Sequence, residues 1–154
     1  IVNKTLKDLR FDIAYFIEGN IKVTETFYAP IIVNCANTST AKGKEFKIQV
    51  IDVSSFTLID VSSMDDRVLK FNEDFIFNDV AMSISYNTNF AFNENMELPV
   101  TVVKFHDFNS LTQSYQKKIT VSQKERESTV INIAILTPDQ RKGIAFLNKL
   151  SENF

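Results

Sequence analysis

The chain of 154 residues has no tryptophan, three glycines, three prolines, one cysteine and one histidine. Each scarcity removes a class of chemistry. So few glycines leave no loop that could cradle phosphate with consecutive backbone N–H groups, and so few glycines and prolines leave no flexible linker. A lone cysteine, Cys35, cannot close an internal disulfide, so cysteine content fixes no redox compartment. Cys35 reads as a small buried hydrophobe. A lone histidine, His106, with no second His or Cys cluster, is too little for a conventional zinc site. It reads as a surface or packing residue just ahead of a helix. The net charge of -2 and the absence of a Lys/Arg run give no stripe for nucleic acid. No apolar run approaches the roughly 20 residues of a membrane helix. Ile1-Val2-Asn3-Lys4 lacks the basic start and apolar stretch of a signal peptide. The chain begins without Met and its last helical pattern is still running at Phe154, so both ends read as cut and the chain as a fragment of a longer protein.

What is present is a core-forming composition. Fourteen Phe and four Tyr, with 44% hydrophobic residues, suit one domain spanning 1–154 with an aromatic-rich interior. Residues 1–9 place Ile1, Val2, Leu6 and Leu9 on one helical face. Residues 11–18 and 21–28 read as strands joined by a two-residue Gly19-Asn20 turn. A short extended piece at 31–33 precedes a polar loop, 34–44. Strands follow at 46–50, 55–59, 68–71, 75–77, 80–86, 89–92 and 100–105, with turns at 62–66 and 93–95. Phe71, Phe75 and Phe77 read as core or interface. No internal repeat is expected.

Asp107 is a candidate N-cap for a helix of about two turns that buries Phe108, Leu111 and Tyr115. The segment 117–154 is the most sharply patterned. A strand at 118–122 and a mixed-charge turn at 123–127 lead to a strand at 129–136. Ile131, Ile133 and Ile135 share one face of that strand; Val130, Ala134 and Leu136 share the other, which predicts a central strand covered on both sides. Thr137 and Gln140 form a capping-box pair with Pro138 at the first helical position. Ile144, Leu147, Leu150 and Phe154 form the apolar stripe of a final helix. The fold class is α+β: a largely antiparallel β-sheet, helices at both ends and one short internal helix.

Nothing in these patterns is a reactive constellation. No G-x-S-x-G elbow is present, and nothing ties Cys35 to His106. The carboxylate pairs Asp65/Asp66 and Glu73/Asp74 fall in expected turns, where such residues serve solubility and local hydrogen bonding. No catalytic, cofactor-binding or metal-ligating residue is assigned, and this segment is expected not to be an enzyme.

The two ends of the chain resemble a known family. The strand Ile119-Thr120-Val121, a charged turn, the alternating strand 128–135, Thr137-Pro138 and the helical Phe146-Leu147-Asn148-Lys149-Leu150 resemble the periplasmic domain of Wzz-type polysaccharide chain-length determinants. The stretch from Leu9 to Tyr28, followed by Ala29-Pro30-Ile31, resembles the variants fused to cytoplasmic tyrosine autokinases in capsule and exopolysaccharide export. The middle, about 35–92, carries little of the likeness, and no kinase motif is present.

The resemblance implies a non-catalytic scaffold at the periplasmic face of the bacterial inner membrane. Membrane helices would flank it. It would self-associate in the full-length protein and regulate the length and export of capsular, exo- or O-antigen polysaccharide. The implied partners are the polymerase and export machinery, with the polysaccharide itself a candidate ligand and no cofactor. Arg126, Arg141, Lys142 and Lys149, expected to be exposed, are the candidate subunit or partner contacts. The alternatives are a periplasmic carbohydrate- or protein-binding module and, from a third class, an enzyme whose site is assembled from residues the sequence does not connect, which a cleft around His106 lined by carboxylates would favour.

Overall fold

A computed structural model describes residues 1–19, 21–63, 65–90, 98–123 and 130–154. The fold is α+β, with mostly antiparallel sheets, helices near both ends and one internal helix. Residue contacts group into two compact units: Ile1–Asp12 with Asp107–Phe154, and Ile13–His106.

The unit Ile13–His106 is built from two antiparallel sheets. Its strands are β1 (Ile13–Glu18), β2 (Val23–Thr26), β3 (Ile31–Cys35), β4 (Glu45–Val50), β5 (Ser55–Asp60), β6 (Asp65–Lys70), β7 (Asp74–Phe77), β8 (Val80–Tyr86) and β9 (Thr101–Phe105). Six of them form a sheet in the order β2-β1-β9-β4-β5-β6, and three form a second sheet, β3-β8-β7. The strand that enters the unit and the one that leaves it are neighbours, with Ile13 opposite Phe105.

Alternation explains how the sheets meet. Phe46, Ile48 and Val50 of β4 are buried while Lys47 and Gln49 between them are half-exposed, and β8 buries Val80, Met82 and Ile84 in the same way. The inner faces join in one apolar cluster. Phe46 reaches from the larger sheet to Phe77 of the smaller at 5.0 Å between ring centroids, and Phe56 to Phe75 at 6.3 Å. The Tyr15 hydroxyl crosses the same core to accept the backbone N–H of Val33 at 2.9 Å. Phe71 and Phe77 are core residues, with Phe75 packed against them, as the sequence suggests.

Turn chemistry departs from expectation at two places. Glu18 pairs with Val23, so the β1–β2 connection spans residues 19–22 rather than a two-residue turn. Ile21, expected to start the returning strand, is 98% exposed, and Asn20 lies outside the described residues. The two-residue turn is Asn78-Asp79 between β7 and β8, where both residues have positive φ (47° and 66°) and Phe77 pairs with Val80. That is the type I′ geometry whose twist suits a hairpin. Asn89 and Phe90 are not in a strand; the rest of the strand expected at 89–92, and the turn at 93–95, lie outside the described residues.

The other unit contains α1 (Val2–Asp8), α2 (Phe108–Lys118), β10 (Ile119–Gln123), β11 (Ile131–Ile135) and α3 (Gln140–Glu152). α1 closes in a Schellman motif: Arg10 (φ 53°) donates to the Lys7 carbonyl and Phe11 to that of Leu6. α2 is capped by Asp107, whose carboxylate accepts the Ser110 N–H at 2.9 Å, and at 11 residues it is longer than its apolar pattern suggests. Tyr115 of α2 lies 5.9 Å from the Phe11 ring and 4.9 Å from Phe146 of α3, so one aromatic row joins the three helical segments.

The sequence places the start of α3 two residues early. Asp139, not Thr137, is its N-cap, accepting from the N–H groups of Arg141 and Lys142, and Pro138 precedes the cap. Aspartate caps as well as threonine does, and its charge favours the positive end of the helix. Thr137 is instead packed against Gly143: a Cβ added there would lie 2.6 Å from its Cγ2. The buried side of α3 is accordingly Lys142, Gly143, Phe146 and Leu150, whereas Ile144 and Phe154 of the expected stripe are exposed.

Candidate functional site

The strand expected to be central is one half of a two-stranded sheet. β10 and β11 pair antiparallel, with Ile119 opposite Ile135 and Val121 opposite Ile133. Directly opposed residues point to the same side, so one face is apolar apart from Gln123, opposite Ile131 at its end. The other face carries Thr120, Ser122, Asn132 and Ala134. Periodicity identified both faces of β11 as rich in apolar residues, but it cannot supply strands to flank it. Val130 and Leu136 consequently remain exposed.

The apolar face of this hairpin turns toward α1 and α3 and leaves an open groove of about 480 Å3. Ile119, Val121, Ile131 and Ile133 form its floor, and Ile1, Val2, Leu150 and Phe154 its helical wall. Among the described residues, Ser151 is the one polar residue in the lining. Phe154 is 89% exposed, and Val121 and Ile131 are exposed within the same groove. The two helices are held beside each other by Asn153, whose amide donates to Thr5 Oγ1 at 3.2 Å and to Asp8 Oδ2 at 3.1 Å. Such a surface can take an apolar side chain or segment. The Ile-x-Ile-x-Ile run of β11 is its signal in the sequence, a pattern that equally fits the interior of a sheet.

The three described candidate contact residues, Arg141, Lys142 and Lys149, do not converge on one site. Arg141 is exposed in the first turn of α3, its guanidinium 3.5 Å from Asp139. Lys142 is a correction: expected on the surface, it is only 9% exposed, with its ammonium 4.8 Å from the centroid of the Phe11 ring. Lys149 lies about 10 Å further along the helix. It pairs with Glu152 at 2.9 Å. That hydrogen bond, then the Glu152 charge, raises its pKa, with Asp8 adding to the effect. Arg126 and the charged turn at 124–127 lie outside the described residues.

The groups with shifted acidity have structural causes. The pentapeptide Ile-Asp-Val-Ser-Ser occurs twice, at 51–55 and 59–63, a short repeat where none is expected. In both copies the aspartate accepts from the backbone and hydroxyl of the serine two residues on: Asp52 from Ser54 at 2.7 and 2.6 Å, Asp60 from Ser62 at 2.9 and 2.6 Å. These bonds hold Asp52 below the usual carboxylate range and bring Asp60 down to about 2. The two turns sit at opposite ends of β5 and form no shared site. Asp65 and Asp66 are the first residues of β6 rather than a turn, and Asp74 opens β7. Burial raises the Tyr86 phenol.

His106 is half-buried in the segment that follows β9, and Cys35 is a buried thiol outside any disulfide. Among the described residues no group of three or more His, Cys, Asp or Glu is placed to hold a metal ion, and no helix is long and apolar enough to cross a membrane. Comparison with protein-family models and with curated proteins finds no match.

Proposed function

We propose that this chain is a non-catalytic periplasmic domain of an inner-membrane protein that sets the length, and assists the export, of a capsular, exo- or O-antigen polysaccharide. It acts as an oligomeric scaffold. The observation that carries the proposal is that Ile1 and Phe154 line one groove, with α1 and α3 packed side by side. That proximity suits a domain anchored through both flanks, and it is common among domains in general. The resemblance of the segments around Leu9–Ile31 and Ile119–Leu150 to chain-length determinants supplies the class. The exposed apolar lining supports a surface that meets another element in the full-length protein.

The test is deletion of the full-length gene in the source bacterium, followed by gel separation of the surface polysaccharide. The expected result is a changed modal length or a loss of exported polymer, restored by the intact gene. An unchanged length distribution and amount overturns the proposal. Glycan binding by the isolated chain together with an unchanged distribution indicates a carbohydrate-binding module instead.

A further inference from the structure

We draw no further inference here: the strongest candidate, the apolar groove between the β10–β11 hairpin and the ends of α1 and α3, belongs to the site already described, and nothing in the structure shows what covers it.

Discussion

The ammonium of Lys142 lies 4.8 Å from the centroid of the Phe11 ring, and both side chains are buried. The ring follows the Schellman exit of α1, and the lysine stands in the first turn of α3, so the pair ties the end of one helix to the start of the other. A cation held over an aromatic face away from water contributes about 1–2 kcal/mol, and the four-carbon stem adds apolar packing. Lys142→Ala should therefore lower the stability of the chain by about 1–3 kcal/mol, and Lys142→Met by less because it keeps the stem. Arg141→Ala, one residue away and exposed, should stay within about 0.5 kcal/mol of the parent. Urea unfolding of the three variants checks this. Equal effects at the two positions would remove the packing role.

Gly143 permits the close approach of α3 to the segment that leaves β11. On helix propensity alone, Gly143→Ala would gain about 1 kcal/mol. The new methyl would sit 2.6 Å from Thr137 Cγ2, with Ile135 Cγ2 at 3.6 Å. Overpacking of this kind costs about 1–3 kcal/mol, so the net change is expected to be destabilising. Thr137→Ser removes the obstructing methyl, and in its presence Gly143→Ala should become less harmful. A double-mutant cycle by thermal denaturation measures that coupling, and simple additivity would contradict the clash.

Thr101 is fully buried on β9, and its hydroxyl has no hydrogen-bond partner among the described residues. Its neighbours on the same face are apolar: Val103, and Ile48 across the ladder. Leaving a hydroxyl unsatisfied costs about 1–3 kcal/mol. Thr101→Val replaces it with a methyl of similar shape, and should raise stability by about 1 kcal/mol in urea unfolding. A loss of stability would show that the hydroxyl is satisfied in solution.

Asp60 has its carboxyl lowered from 3.8 to about 2, chiefly by the Ser62 hydroxyl and then by the Ser62 N–H. The folded chain thus holds this proton less readily than the unfolded chain. Its contribution is complete above the ordinary value of 3.8 and is lost as pH falls through about 2. Asp60→Asn should flatten the pH dependence of unfolding across that window; Asp52, shifted in the same direction, maintains the remaining slope. An unaltered slope in the variant would contradict the turn geometry.

Elements whose signals are local were legible in the sequence. Val80–Tyr86 has one buried face and clear alternation, and its predicted bounds match the strand. Asp107 is a cap in fact as in pattern, because its carboxylate needs only the N–H three residues on. The misplacements occur where two local solutions compete or where partners decide. Asp139 and Thr137 can each cap α3, and the packing of Thr137 against Gly143 accompanies the choice of Asp139. β11 has apolar residues on both faces, but burial depends on neighbouring strands, and among the described residues it pairs with β10 alone. Lys142 reads as a surface residue because charge is usually solvated; only the fold brings Phe11 beneath it. The groove was legible as residues but not as a surface, since its wall joins Ile1 and Val2 from one end of the chain to Leu150 and Phe154 from the other.

For the proposed role, the most direct measurement is the surface-polysaccharide length distribution of the cells the protein comes from when Ile133→Asp is placed in its native gene. Ile133 lies in the groove floor, and Asn132→Asp, on the opposite face of the same strand, is the control. With both variants present at parental abundance, Ile133→Asp should shift the modal length while Asn132→Asp leaves it unchanged. A parental distribution with Ile133→Asp would contradict a role for this surface in setting polymer length.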